Sequence, residues 1–503
     1  MPKRTIPLST PDMVLDHRSP LPLYRQLYER LHTAIVTGQL EAGARLPSTR
    51  SLASELGVSR TTTALVYEQL LMEGYLESHV GDGTRVSSLF PRQADRTVPK
   101  AGTQKYEVRQ GRTLVALSQR GQALLQTPSA DGPPALRLSD KASPFRVGQP
   151  DVDAFPYDLW AKLLAKHARQ SLRTAASYQT AEGYQPLREA IASHIGITRG
   201  VRCTPQQVLL TAGSQGALDL AARVLLDPGE TVWIENPGYP GARGALLAAG
   251  ARLTPVSVDE EGIEVAVGDQ QAPHARIISV TPSHQFPTGV TMSLNRRLAL
   301  LAWAEQAQAW ILEDDYDSEY RFSGRPLEAL QSLDNGQRVI YIGTFSKVLF
   351  PALRLGYIVV PMQLVEGFVA MRRCIDVHVP IVEQMALTDF LTQGHFTRHL
   401  RQMRTLYTER RTALIDALER ELGDLLEIHV PEAGMHLVAW LPPDKDDRVA
   451  VQLARLQGIE INPISRFSMI PLERGGLVLG YAAATSENLR VSVQRLAQAL
   501  RML

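Results

Sequence analysis

Gly343-Thr344-Phe345-Ser346-Lys347, followed after six intervening residues by Arg354, is the stretch on which the reading of this chain turns. The run from Arg338 to Gly343 (RVIYIG) predicts a short buried strand. Beyond it, Thr344 and Ser346 offer two hydroxyls and Arg354 a guanidinium, the donors a phosphate needs. An amine must lose its proton before it attacks an aldehyde, and desolvation beside a second cation lowers its pKa toward that condition. Lys347, with Arg354 near it in sequence, suits such a covalent link. Taken alone, the segment also fits a solvated lysine near a helix start.

A second segment narrows the choice. Ala309 to Glu313 (AWILE) predicts another short apolar strand, and it ends in Asp314-Asp315-Tyr316-Asp317. Such a group of acids is costly to bury unless a cation meets it. A protonated pyridine nitrogen is such a cation, and a lysine paired with a ring-facing aspartate marks a pyridoxal phosphate site. Asp314 lies 33 residues before Lys347, about one strand, one loop and the next strand of an alternating α/β sheet. Tyr316 is placed to reach the ring's phenolic oxygen. A solvated or calcium-like acidic turn is the competing reading.

Upstream, Val208 to Leu218 (VLLTAGSQGAL) runs from a strand through small residues into a helix. A helix start collects free N–H groups and positive dipole, so Ser214 and Gln215 stand where a phosphate would rest. Pro237-Gly238-Tyr239-Pro240 follows another strand pattern (TVWIEN) and offers an aromatic ring to stack on the pyridine, or an ordinary turn tyrosine. The order along the chain is phosphate turn, stacking tyrosine, aspartate, lysine.

That order and those residues closely resemble the fold-type I aminotransferases over roughly 143 to 503. The likeness includes Phe145-Arg146-Val147-Gly148-Gln149-Pro150-Asp151 and Tyr178 followed by Glu182-Gly183-Tyr184-Gln185-Pro186-Leu187-Arg188. It implies that Tyr178 contacts the cofactor phosphate of a partner subunit, and that Tyr239 stacks on the ring. It further implies that Asp314 and Tyr316 hold the ring's nitrogen and phenolic oxygen, and that Arg354 holds its phosphate. Two departures stand out. The enzymes show Asn-Pro-Thr-Gly where this chain has Ser283-His284-Gln285-Phe286-Pro287-Thr288-Gly289, so Phe286 replaces the asparagine and His284 or Gln285 must substitute. The enzymes also carry an arginine near the C-terminus that grips the substrate carboxylate, and Gly476 to Tyr481 (GLVLGY) has an aliphatic residue in its place. Both point away from physiological turnover, leaving a residual half-reaction.

The first ninety residues carry a different pattern. Pro22 to Val36 places Leu23, Leu27, Leu31 and Ile35 on one helical face, with Gly38 as a stop. Ser48 is positioned to cap a helix with Leu52, Ala53 and Leu56, Gly57-Val58 is the turn, and Ser59 caps a second helix with Leu65, Val66, Leu70 and Leu71. This is helix-turn-helix spacing. The second helix opens with Ser59-Arg60-Thr61-Thr62-Thr63, donors at the end that enters a major groove. Tyr75 to Val86, with a turn at Gly81-Asp82-Gly83-Thr84, predicts a two-stranded wing. Residues 1 to 100 hold 12 Lys/Arg against 10 Asp/Glu, a weak excess, so a helical cap without a nucleic-acid role competes on charge alone. Placement favours DNA: Arg50 and Arg60 at helix starts, Arg85, Gly83 and Thr84 in the wing. Leu46-Pro47-Ser48-Thr49-Arg50, Leu52-Ala53 and Leu56-Gly57-Val58-Ser59-Arg60 resemble the winged helix of GntR-type bacterial repressors. With the aminotransferase-like part, nearly the whole chain resembles the MocR-type regulators.

Length and composition agree with two modules: 503 residues exceed one core. The expected architecture is α/β, a winged helix-turn-helix over 1–88, a Pro- and Gly-containing linker over 89–142 with a short helix at 114–125, and a mostly parallel effector domain over 143–503 with a small C-terminal subdomain. Helical patterns at 412–422 and 489–500 belong to that subdomain. The formal charge of +1 selects no partner, and Cys203 and Cys374 fit a reducing cytosol without a disulfide framework. No signal-peptide core or membrane-spanning run is visible, and histidine lacks ligand spacing, so a cytoplasmic protein without metal is expected. The function expected is pyridoxal phosphate-dependent transcription control by a homodimer on paired promoter half-sites, with the cofactor site at the subunit interface. The cofactor itself or a small amine exchanging at Lys347 would be the signal. The alternatives are a working aminotransferase with an appended DNA-binding module, and a repressor whose second domain only dimerises. GABA-responsive relatives carry an arginine two residues past the stacking tyrosine, where this chain has Gly241. Arg243 or Arg466 remains able to take a carboxylate.

Overall fold

Val339–Thr344 (β9) forms a fully buried strand at the heart of an eight-stranded sheet. Side chains alternate across a strand, so a strand covered on both faces reads as a continuous apolar run. Ile340 and Ile342 pack into one hydrophobic cluster while Val339 and Tyr341 pack into others. The neighbouring β8 (Trp310–Asp315) does the same, Leu312 facing one way and Ile311 the other.

The computed structural model describes residues 15–17, 19, 21–79, 83–88, 117–125, 127, 144–170, 176–324, 327–335, 337–430 and 432–503. It divides into two compact units, Met1–Leu114 and Val115–Leu503. In the second, the sheet order is β3-β10-β9-β8-β7-β4-β5-β6, with β3 Val208–Thr211, β4 Thr231–Asn236, β5 Arg252–Asp259, β6 Gly262–Ile263, β7 Ile277–Val280 and β10 Gly356–Val359. Strands β5, β4, β7, β8 and β9 run parallel. β10 lies antiparallel between β9 and β3, and its first residue, Gly356, pairs with both Thr344 and Thr211. The carboxyl ends of β3, β4, β7, β8 and β9 and the start of β10 therefore share one edge, where α/β sheets bind ligands.

The same unit carries an antiparallel sheet, β11-β12-β14-β13, of Glu427–Ile428, His436–Trp440, Gly476–Gly480 and Asn462–Pro463 in that order. It packs with the helices His395–Leu422 and Ser486–Leu500, each longer at its N-terminal side than the sequence pattern predicts. Within the stretch read as linker, Gln119–Leu125 is helical, and Arg120 reaches the Ala248 carbonyl at 3.5 Å. Pro91, Pro99, Pro128, Pro133 and Pro134 lie outside the described residues.

Among its described residues the first unit holds three helices, α1 Leu23–Val36, α2 Thr49–Leu56 and α3 Arg60–Met72, and a hairpin of β1 Leu76–His79 with β2 Gly83–Val86. Ser48 Oγ accepts from Ser51 N at 3.1 Å and Ser59 Oγ from Thr62 N at 3.0 Å, so both predicted caps form. Gly57 ends α2 in the left-handed conformation at φ 66°, which costs glycine nothing. The core holds Leu27, Leu31, Ile35, Leu52, Val66, Tyr67 and Leu70. Leu65, one of the apolar residues read in the second helix, is 53% exposed: the buried face of α3 runs Thr63, Val66, Tyr67, Leu70, and one residue's rotation carries Leu65 off it. Gly81 and Asp82 of the predicted wing turn lie outside the described residues, whereas Ser78↔Thr84 and His79↔Gly83 pair as a hairpin.

Candidate functional site

The four acids at the end of β8 and just beyond it separate into distinct roles. Glu313 accepts from the backbone N–H groups of Leu330 and Gln331 at 2.8 and 2.9 Å. Asp315 is paired with Arg199 Nε at 2.8 Å and accepts from Tyr341 OH at 2.6 Å. Asp317 meets the ring of His284. Asp314 is buried like the others, yet its Oδ1 has no hydrogen-bond partner. Burial, then the neighbouring Asp315 charge, pushes its carboxyl up to about 7, with Lys347 opposing. A buried carboxylate oxygen left open in this way calls for a cationic donor.

Lys347 follows β9 by three residues. Its Nζ donates to the Gly148 carbonyl at 2.7 Å, and its pKa is lowered, by burial first, against the pull of Asp317 and Asp314 and with the help of Arg354. A Cβ on Gly148 would stand 2.9 Å from Nζ, so the backbone there closes on the amine as only glycine permits. Ser346 Oγ is also buried without a partner, while Thr344 Oγ1 accepts from Ser346 N at 3.2 Å.

One end of the site is built by the turn after β3 and the turn before β10. Helix Gly213–Leu225 starts at Ala212, which has no side chain able to cap it, so its first N–H groups are uncapped. Arg354 donates to the Ala212 carbonyl at 2.8 Å, and its guanidinium passes 3.2 Å from where a Cβ on Gly213 would lie. Arg354 itself sits at φ 50°, a strained conformation for arginine that its surroundings hold. Ser214 is half-buried in the first turn; Gln215 Nε2 donates to the Gly241 carbonyl at 2.9 Å and ties the two helix starts together.

Tyr239 follows β4, partly buried, with its hydroxyl pushed up to about 12 by burial and the nearby Asp314 charge. Phe286, in the asparagine's place, packs edge-on to Tyr239 and Tyr316 at ring-centroid distances of 5.7 and 6.1 Å. Tyr316 OH lies 2.9 Å from His284 Nδ1. Of the predicted cofactor residues, Ser214, Gln215, Tyr239, His284, Asp314, Tyr316, Thr344, Ser346, Lys347 and Arg354 thus gather at one sheet edge. Tyr178 does not: it is 87% exposed and its ring meets His378. Tyr239, Arg243 and Arg466 line one small cleft, and Arg243 Nε is buried without a partner.

Sequence reasoning missed Asp317, Gly148, Arg199 and His436. His436, from β12, has its ring 5.0 Å from that of His284, and its Nε2 donates to the Pro287 carbonyl over 3.0 Å. A carbonyl only accepts, so Nε2 of His436 carries the hydrogen. His284, Asp317 and His436 also lie close enough together to hold a metal ion, a grouping of three distant segments that no sequence spacing announces. Burial drives the His436 pKa down from 6.5 to about 3. The unfolded chain therefore binds a proton that the native protein refuses between those values, and stability falls as pH drops below 6.5 by up to about 1.4 kcal/mol per pH unit from this group. In urea unfolding at pH 7 and pH 5, His436→Gln is expected to lose less stability than the parent across that interval; equal losses would remove His436 as a cause.

An aldehyde-bearing, phosphorylated cationic ring fits this donor set: an open carboxylate, an enclosed amine of lowered pKa, two hydroxyls, an uncapped helix start and a guanidinium.

In the first unit, Arg50, Arg60 and Thr61 are exposed, and Arg45, Arg50 and Arg60 have no ion-pair partner among the described residues. Arg45, absent from the sequence reading, lies over the wing, 3.3 Å from where a Cβ on Gly83 would be. Arg85 Nη1 instead donates to the Gly43 carbonyl at 3.0 Å, so this wing arginine is engaged within its own unit. Ser59 and Thr62 share a hydroxyl contact of 2.8 Å at the cap.

Two family models match the chain: bacterial regulatory proteins of the gntR family at residues 23–86, and aminotransferase class I and II at residues 144–496. The probable rhizopine catabolism regulatory protein MocR of Rhizobium meliloti is 42% identical over 97% of this chain and 95% of its own length. The pyridoxine biosynthesis transcriptional regulator PdxR of Corynebacterium glutamicum is 29% identical over 97% of this chain and 98% of its own. Among solved structures, the α-aminoadipate aminotransferase LysN of Thermus thermophilus, complexed with N-(5'-phosphopyridoxyl)-L-leucine, aligns with a TM-score of 0.69 and 30% identity over 76% of this chain and 97% of that one. With a gntR-type helix-turn-helix in front of a fold-type I aminotransferase domain along its whole length, the chain belongs to the MocR-type family of regulators.

Proposed function

We propose that this protein binds promoter DNA through its first unit and changes that binding according to what occupies the Lys347 site. The observation that carries the reading is the enclosed amine of Lys347 facing a buried, open carboxylate at Asp314, in a chain that also presents exposed, unpaired arginines on a helix-turn-helix. Pyridoxal phosphate bound there supplies an electrophilic aldehyde on a cationic ring. Lys347 would hold that aldehyde, Asp314 would keep the ring nitrogen charged, Tyr316 would serve the phenolic oxygen and Tyr239 would stack on the ring. Ser214, Thr344, Ser346 and Arg354 hold the phosphate, with Gln215 bracing the turn. The domains are read as 1–88 for DNA, 89–142 as tether and 143–503 as effector domain. The working unit is a cytoplasmic homodimer in which the exposed Tyr178 of one subunit completes the other's site.

Ligand that favours one arrangement of the effector dimer shifts the spacing of two DNA modules, and affinity for paired half-sites shifts with it. A working aminotransferase is disfavoured by the stretch Gly476 to Tyr481, which carries an aliphatic residue where the resemblance expects an arginine; within it Val478 packs with Val438 and Ile464. Gly241 supports the cofactor itself as signal over GABA: a side chain there would collide with Gln215 Oε1 and the Tyr239 ring. Arg243, with a buried unpartnered Nε in the cleft beside Tyr239, favours a second reading, an amine that carries a carboxylate. A gel-shift titration on the gene's own upstream region tests both, using apo protein, added cofactor, and cofactor with amines bearing or lacking a carboxylate. A response to cofactor alone selects the first reading, and one needing the carboxylate selects the second. Identical shifts in every lane, with sustained keto-acid production, would establish the enzyme instead.

A further inference from the structure

His284 is buried at the centre of a chain of polar contacts. Its Nδ1 lies 3.1 Å from both carboxylate oxygens of Asp317 and 2.9 Å from the hydroxyl of Tyr316. A carboxylate only accepts, so the ring's hydrogen belongs on Nδ1. A nitrogen that carries a hydrogen cannot accept one from a phenol. Tyr316 therefore receives at its oxygen, and its own O–H remains free to donate elsewhere. Without Asp317 the neutral imidazole could place its hydrogen on Nε2, and a bare Nδ1 would then capture the Tyr316 proton.

The surroundings keep this arrangement fixed. Gly434 lies against the His284 ring so closely that any Cβ would overlap Cε1. Phe286 packs on Tyr316 from the segment that brings His284. The charged and titratable groups around the pair are Asp314 in β8 and Asp317 just after it, Glu235 from β4, Lys347 after β9, His436 from β12 and Tyr481 after β14. Burial, then the Asp317 and Asp314 charges, holds the Tyr316 pKa well above 10, so the phenol keeps its proton.

We propose that Asp317 and His284 form a positioning relay that fixes Tyr316 as a hydrogen-bond donor to the cofactor's phenolic oxygen, replacing the asparagine lost to Phe286. This rests on the reading of the Lys347 site as a pyridoxal phosphate site. The relay explains why a third acid, Asp317, is buried beside a histidine after Asp314 and Asp315 have their own duties.

The test is a pH titration of the visible absorbance of full-length, cofactor-loaded protein. Losing a donor to an anionic oxygen makes that oxygen hold its proton more tightly, so Tyr316→Phe raises the chromophore's apparent pKa by about one pH unit, the scale of one charge-assisted hydrogen bond. Asp317→Asn is expected to raise it similarly, and the double variant no further than Tyr316→Phe alone. His284→Gln, whose amide can still donate to both neighbours, keeps the parental titration, whereas His284→Leu shifts it. An unshifted Asp317→Asn, or a double variant whose shifts add, overturns the relay. So does a parental spectrum that moves on adding zinc or a chelator, which would make His284, Asp317 and His436 a cation site. If Asp317→Asn fails to fold, the His284→Gln and His284→Leu pair decides alone. Failure of the parent to take up pyridoxal phosphate at all would count against the site reading and leave a colourless protein, a distinct outcome.

Discussion

Lys347→Ala is expected to take up pyridoxal phosphate without covalent attachment, with at least a hundredfold loss of affinity, about 3 kcal/mol, and no adduct on that peptide after borohydride reduction. The amine is enclosed, hydrogen-bonded to the Gly148 carbonyl and poised below its ordinary pKa by burial, so the link it forms has no substitute among the other residues of the edge. Arg354, held at the Ala212 carbonyl, and the uncapped start of the helix at Gly213–Leu225 are untouched by the substitution, so the phosphate contacts proposed for them would leave weak binding. If the covalent link belongs to the switch, the variant binds DNA as the apo protein does and no longer responds to added cofactor. Gel shift and reduced-peptide mass together check this. An adduct elsewhere, or an unaltered DNA response, would remove Lys347 from the mechanism.

What was legible in the sequence follows the reach of each interaction. The Gly343 to Arg354 segment was readable because its hydroxyls, amine and guanidinium sit within one turn of chain, and the predicted strand at 338–343 falls one residue from the observed 339–344. The two helix caps were readable for the same reason, since Ser48 and Ser59 act on nitrogens three residues away. Contacts made across the fold were not. Nothing local says that Arg199 claims Asp315, that Asp317 rather than Gln285 engages His284, or that β12 brings His436 beside it. Gln285 instead donates to Glu235 and the Pro237 carbonyl, bracing the turn before Tyr239. Arg45 was passed over because it lies before the helix pair, and only the folded hairpin brings Gly83 to it. Leu65 is as apolar as its neighbours, and only the helical phase of Thr63, Val66, Tyr67 and Leu70 keeps it out of the core.

Arg60→Ala should weaken operator binding by about 1–3 kcal/mol, roughly five- to 150-fold per module, while leaving the cofactor's colour unchanged. Arg60 is the first residue of α3, exposed and unpaired, beside the exposed Thr61. Ser59 and Thr62, read from the sequence as DNA contacts, are joined to each other across the cap, so their first duty is to start the helix that presents Arg60. The two kinds of residue then separate by experiment. Ser59→Ala lowers the thermal midpoint of the first unit, a cap being worth about 1 kcal/mol, and weakens DNA through the fold. Arg60→Ala leaves that midpoint in place. If Arg45 and Arg50 contact phosphates, Arg45→Ala and Arg50→Ala are expected to weaken binding to all sequences alike and to reduce its salt slope by about one each. Fluorescence anisotropy on operator and scrambled duplexes across a salt series distinguishes these cases. An Arg60→Ala protein that keeps parental affinity and parental discrimination between the two duplexes would mean that α3 is not the helix that reads the groove.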